Sequence, residues 1–469
     1  MENRLKELRV KKKSLFHKVY VIVLMLFFTG VGVTIVVKPE TEYSRNENRY
    51  LQKMPALTWD SYKTGDFGEQ FDKAVTDQFP FRDFFTGMST NIRKIMGFHD
   101  VGDVYLGKDH YYFDKKLEKD MPFSQYNANI ASIRQFADAF RAKEAGSADA
   151  EGDVAAAGDA SADAGGADAA VGDASADTGG ADVAANDATG ATAERPTFQN
   201  LKVMLIPSPA SVLSDDLPSY AKIYDDTKYF DAAKSVFGED FIDMRETLKA
   251  ASDGGAGSAG DDDSATGDTN TSTEADAPSA ADGYLYFRTD HHWTDRGAYE
   301  AYRVYEEAMG RPVKSREDFR YRKVSDEFYG TMFSRALDNG AVPDTIEIPT
   351  IPENITVKAG EKEMPFYDES KVKEKDQYAM YFGGNYPAVT ITNPNVKEEK
   401  KLLVFKDSFA NSFIPLILDD YSEIVMLDPR YETRPMTAVM NTYHPDDVLV
   451  LFEMSNFTLT KEIARMGMM

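Results

Sequence analysis

KLLVFKDSFANSFIPLILDDY, residues 401–421, decides the reading of the fold. The apolar run Leu402–Phe405 stops at the polar turn Lys406-Asp407-Ser408, and apolar residues at helical spacing follow. A short unbroken apolar run bounded by turn residues reads as a strand buried on both faces. A strand that passes through a polar turn into a helix is the repeating unit of a parallel α/β sheet. Ser408 stands in that turn.

The same rhythm recurs on both sides of this stretch. LKVMLIPSP (201–209) reads as a buried strand, a helix follows at about 227–237, and DFIDM (240–244) is a short strand. YLYFRT (284–289) leads into DHHW, and RGAYEAYRVYEEAMG (296–310) is a helix. EIVMLDP (423–429) and DDVLVLFEM (446–454) are further strands. The pattern predicts a parallel sheet covered by helices on both faces, with ligands beyond the carboxyl ends of the strands. Ahead of it, 67–79 and 81–97 have helical spacing, VYLGKDHYYF (104–113) reads as a hairpin around Gly107-Lys108-Asp109, and a helix is expected at about 124–143.

The chain opens on a basic tail, residues 1–18, followed by nineteen uncharged residues, Val19–Val37. A helix of that length spans about 28 Å, close to the thickness of a bilayer core. The basic flank predicts a cytoplasmic N-terminus, and no small-residue cleavage site follows, so 19–37 reads as a retained signal anchor with the remainder outside the cytoplasm. The net charge of −25 is concentrated in two segments. Residues 144–195 hold twelve carboxylates, and 250–282 hold eight, the latter with no Lys or Arg. In the first, GDASADAGGADAAV (158–171) recurs as GDASADTGGADVAA (172–185). Neither segment has the large apolar side chains needed to offset its ordering entropy, so both are expected to be disordered acidic insertions. They divide the chain into an opening region at 39–143 and α/β segments at 196–249 and 283–469. No concentrated basic face exists, which argues against nucleic acid as a partner. Cysteine is absent, which excludes disulfides, thiolate metal sites and cysteine nucleophiles.

Three polar clusters fall at strand ends: TDHHW after YLYFR, KDSF after LLVF, and LDPRY after EIVM. Ser408 is a candidate nucleophile; its plainer reading is a helix N-cap. A serine nucleophile needs a base, and the base needs an orienting group. Of six histidines only the tandem pair lies at a strand end beside a carboxylate. Asp290 and His292 are two apart and face one side of extended backbone, while His291 faces the other. Thr294 can cap the helix that begins near Asp295. A metal site from the two histidines and the carboxylate is the rival, but adjacent histidines rarely converge on one ion and no further ligand cluster supports it. Two purely structural histidines are the other alternative.

NENRYLQKMPALTWDSYKTGDFGEQFDKAVTDQFPFRD (46–83), VYLGKDHYYF, YFRTDHHWTDRGAYEAY (286–302), YGTMFSR (329–335) and LLVFKDSFANSFIPLI (402–417) together resemble the DHHW family. That family is similar to the SGNH-hydrolase-like domains of alginate-type O-acetyltransferases. The resemblance implies an SGNH-hydrolase-like, flavodoxin-like three-layer α/β fold, preceded here by one transmembrane helix, in which the Asp-His pair precedes the serine. It places the D-x-H pair on Asp290 and His292 and the nucleophile on Ser408, with His291 as an alternative base. Gly330, Arg430 and Asn411 are candidates for oxyanion or substrate binding. Asn456 is an alternative donor, and a salt bridge to Asp428 or Asp420 is the plainer reading of Arg430. The implied activity is transfer of acetyl groups onto, or hydrolysis from, a cell-surface polysaccharide. The implied donor is a membrane-bound O-acyltransferase, with no soluble cofactor and no metal. Lys406 departs from the glycine common before Asp-Ser in such hydrolases, which leaves a non-catalytic carbohydrate-binding or scaffold protein as the alternative.

Overall fold

The structure is a computed structural model that describes residues 2–44, 49–142, 196–256 and 283–468. The proposed insertion at 144–195 lies outside these residues, as does the one at 250–282 except for 250–256, which complete the helix Arg245–Ala256. The N-terminal helix Glu2–Val37 contains one stretch, His17–Ile35, long and apolar enough to cross a membrane. Helices Asp66–Asp77, Arg82–Ile95 and Phe123–Phe140 fall where the periodicity places them. Val104–Leu106 and Tyr112–Asp114 pair antiparallel as the hairpin.

Eight strands form the main sheet: β1 (Asn200–Ile206), β2 (Phe241–Asp243), β3 (Thr356–Ala359), β4 (Lys362–Met364), β5 (Ala388–Thr392), β6 (Lys401–Lys406), β7 (Glu423–Leu427) and β8 (Asp447–Glu453). Their spatial order is β4-β3-β5-β7-β6-β8-β1-β2. The five strands from β7 to β2 are parallel, with Leu403 opposite both Val425 and Val448, and Val450 opposite Val203. The remaining three, β3, β4 and β5, add an antiparallel edge.

The strands bury both faces, as their near-continuous apolar composition requires. Leu402, Val404, Ile424, Met426, Leu449 and Leu451 pack in one core with the helix Asp295–Ala308 and the turns at Ile414–Asp420. Leu403, Phe405, Val425, Val448, Val450 and Phe452 pack in the other, against Phe123–Phe140, Thr227–Phe237 and Met436–Tyr443. The fold is therefore a three-layer α/β sandwich around a mostly parallel sheet.

Counted from β6 and continued through β7, β8, β1 and β2, the parallel strands lie in the order 2-1-3-4-5, the flavodoxin-like arrangement. The chain enters that arrangement at its fourth strand, so the topology is circularly permuted. This is why the DHHW stretch, which follows β2, precedes Ser408 in sequence. YLYFR itself is not a ladder strand: only Tyr286 bridges, to Trp293.

Candidate active site

Ser408 follows β6 in a turn fixed by the side chain before it. Asp407 Oδ1 accepts from the Phe409 N–H at 2.9 Å, and its Oδ2 accepts from the Glu453 N–H at 3.0 Å and from Asn456 Nδ2 at 2.8 Å. One buried carboxylate thus ties the end of β6 to the end of β8. Ser408 does not cap the short helix Ala410–Phe413, whose N-cap is Phe409.

The hydroxyl meets His292 instead. Ser408 Oγ lies 2.7 Å from His292 Nε2, and His292 Nδ1 lies 2.5 Å from Asp290 Oδ2. Asp290 Oδ1 accepts from the Thr331 N–H and the Thr331 hydroxyl, both at 2.7 Å. A fully hydrogen-bonded carboxylate that accepts from Nδ1–H leaves Nε2 as the acceptor facing the serine. The ring is also clamped by packing: Tyr378 stacks on it at 3.8 Å and 10°. The Tyr378 hydroxyl donates to Ser412 Oγ at 3.1 Å, and Trp293 Nε1 donates to the same oxygen at 2.8 Å. Thr294 caps the following helix through the Gly297 N–H.

His291 turns the other way, its Nδ1 2.7 Å from Thr331 Oγ1. The two imidazoles are 3.9 Å apart, close enough for a charge on one to disfavour a charge on the other. Burial, then the charge on His291, push His292 down to about 4, against the pull of Asp290. Burial also lowers His291, but the Asp290 charge and hydrogen bond outweigh it and raise that ring. The His291 side chain is 32% exposed and that of His292 7%. Burial disfavours the Asp290 anion, yet the two rings hold it well below the usual carboxylate range.

Gly330 lies against Asp290: a Cβ there would stand 2.2 Å from the Asp290 Cβ. Its N–H donates to Thr289 Oγ1 at 3.0 Å, so it is engaged within the turn. Asn411 borders the cavity beside Ser408, and its Oδ1 accepts from Lys406 Nζ at 2.8 Å. Lys406, the residue in the glycine position, is buried and held down to about 8 by that burial, with Asp428 and Asp407 opposing. Arg430 borders the same cavity, with its guanidinium paired to Asp428 at 2.9 and 2.6 Å. Asn456 is committed to Asp407. Asp290, His291 and His292 are close enough together to share an ion, but the Asp290 oxygens are already taken by Thr331 and His292.

The sequence reading missed Tyr378, Thr331 and Asp407. Thr331 and Asp407 each sit one residue from a motif position. Tyr378 lies in the four-residue 3-10 turn Gln377–Met380, where no local pattern marks it.

The arrangement defines a class: an α/β protein with a Ser-His-Asp hydrogen-bond chain at the carboxyl edge of its sheet. Residues 276–427 match the family model described as DHHW protein. Solved structures similar to it include a DHHW family protein from Eubacterium siraeum, 22% identical over 57% of this chain and 81% of that one, with a TM-score of 0.40. Bacillus cereus PatB1 is 20% identical over 56% and 85%, with a TM-score of 0.41. The O-acetyltransferase domain of Pseudomonas putida AlgJ is 13% identical over 78% and 98%, with a TM-score of 0.38. No curated protein matches the chain.

Proposed function

We propose that this protein is a membrane-anchored, extracytoplasmic enzyme that moves acetyl groups onto or off a cell-surface polysaccharide through an acetyl-Ser408 intermediate. The observation that carries the reading is the unbroken chain from Ser408 Oγ to His292 Nε2 at 2.7 Å and from His292 Nδ1 to Asp290 at 2.5 Å. His292 takes the Ser408 proton as Oγ attacks the acetyl carbonyl, and Asp290 holds the ring in position and stabilises the imidazolium. The Ser408 N–H, which meets no acceptor among the described residues, and the amide of Asn411, which borders the cavity, would take the developing oxyanion. His292 then returns the proton to the leaving group. In the second half, a sugar hydroxyl or water gives its proton to His292 and takes the acetyl group.

The basic flank before the apolar helix supports an N-terminus in the cytoplasm and the α/β domain outside it. By the family resemblance, the acetyl donor is a membrane-bound O-acyltransferase.

A fluorophosphonate probe tests the reading. Ser408 should be labelled, Ser408→Ala should abolish the adduct, and His292→Ala should slow labelling at least about a thousandfold. A folded protein that resists the probe would be a carbohydrate-binding scaffold instead.

A further inference from the structure

A second cavity of about 260 Å³ lies beside the triad, and His291 and Thr331 border both this cavity and the one that contains Ser408. It opens beyond the carboxyl ends of β1 and β8, with Ser208 following the first and Glu453 ending the second. The short helix after β6 packs in one core and the helix after β8 in the other. The ends of β6 and β8 therefore flank the switch point of the sheet, where doubly wound folds bind ligands; Ser408 stands there, and this cavity lies one strand further on, against β8 and β1.

Two buried polar atoms at this cavity are unsatisfied. Glu453 Oε2 accepts from the Asn456 N–H at 2.9 Å and from the Ser455 hydroxyl at 2.6 Å, but Glu453 Oε1 has no hydrogen-bond partner among the described residues. The Tyr224 hydroxyl makes no well-formed hydrogen bond either, with only the Ser208 side chain, also on the cavity wall, beside it. Both side chains are more than nine-tenths buried, and both border the cavity. Native interiors rarely leave such groups unpaired without a functional reason. The cations there are already matched, Arg335 at 2.8 Å and Lys116 at 3.4 Å from Asp114, so the lining does not select an anion. It offers hydroxyl, amide and carboxyl groups around the rings of Tyr112 and Tyr224, a combination suited to a neutral ring with hydroxyls at its edge.

We propose that this cavity holds a pyranose unit of the acetyl acceptor, with Glu453 and Tyr224 as hydroxyl partners. The inference rests on the acetyl-serine reading. Asn456, on the cavity wall, bonds directly to Asp407 beside Ser408, so a sugar seated there is presented to the acylated serine. In the transfer step the acetyl carbon–Oγ bond breaks and an acetyl carbon–sugar oxygen bond forms. The sugar hydroxyl proton passes to His292 Nε2 and then to Ser408 Oγ.

Partitioning tests this on the full chain in detergent. The protein is acetylated with 4-nitrophenyl acetate, acetyl-Ser408 is confirmed by mass, and the acetyl group is offered to water, ethanol, glucose, N-acetylglucosamine and their β-1,4-linked disaccharides. At least one sugar should exceed ethanol at equal concentration. Tyr224→Phe and Glu453→Gln should each lower the sugar-to-acetate product ratio about fivefold, the factor carried by one net hydrogen bond. That ratio is independent of how fast acetyl-serine forms. Tyr224→Phe leaves the Glu453 helix cap in place, so it reports even if Glu453→Gln disturbs that cap. Sugars no better than ethanol, or a preference that survives both substitutions, would overturn the cavity assignment alone. Absence of acetyl-Ser408 would sink the triad reading and this inference together.

Discussion

The two tryptophans of the chain sit in opposite settings. Trp293 is 0% exposed, packed on Phe409 at 5.4 Å, with its indole N–H shared between Phe409 O and Ser412 Oγ. Trp59 is 70% exposed on the six-residue helix Trp59–Thr64, stacked on Tyr62. The contrast extends to their regions. Leu57, Tyr62, Phe81, Phe84, Ile95 and Met96 all face outward before the hairpin. From Val104 onward, the described residues expose only Tyr220, Tyr431, Leu459 and Met468 among large apolar side chains. Apolar character thus does different work in the two regions: at the sheet it holds the triad in place, and between the N-terminal helix and the hairpin in sequence it faces away from the protein.

The hardest test of that contrast is Trp293→Ala. It empties a core position and removes a donor from Ser412, which also accepts from Tyr378, the ring stacked on His292. We expect a loss of about 3–5 kcal/mol in denaturant unfolding, the usual cost of deleting a buried aromatic. A loss below about 1 kcal/mol would mean the carboxyl edge of the sheet is not held by its packing.

Much of this edge was legible in the sequence, and the reasons are local. Leu402–Phe405 announced a buried strand because four apolar residues in a row must be covered on both faces. Asp290 and His292 were paired by the two-residue period of extended backbone, and Thr294 by the capping preference of threonine. What stayed hidden is long-range. The antiparallel edge is built from short, partly charged strands such as Thr356–Ala359 and Lys362–Met364, which carry no apolar run. The choice between His291 and His292 depends on where β6 delivers Ser408, a fact of strand order. Glu453 reads as the polar end of a strand until the chain is folded around it.

The pH response sharpens the contrast next. A labelling rate governed by an ordinary imidazole would fall below about 6.5. With His292 pushed down to about 4, chiefly by burial, the fluorophosphonate rate should stay flat through 6.5 and fall about tenfold per unit only below the lower value. The depressed pKa also costs stability as pH falls from 6.5 toward 4, because the unfolded ring takes a proton that the folded ring refuses. His291, raised, acts in the opposite sense: its contribution is present below 6.5 and fades as pH rises through its folded value. An inflection above 6.5 would place the titrating base on the raised ring and shift the assignment toward His291.

The smallest effect belongs to Trp59. Its side chain has no core to lose, so Trp59→Ala should change unfolding stability by no more than about 0.5 kcal/mol. Fluorescence separates the two indoles in the same sample. Trp293, buried, should emit in the blue and resist iodide, while Trp59, exposed, should emit further to the red and be quenched. Subtracting the Trp59→Ala spectrum isolates each signal. If the substitution instead destabilised the chain as much as Trp293→Ala, the outward aromatic face would have to be covered within the protein itself, and the division drawn between the two regions would fail.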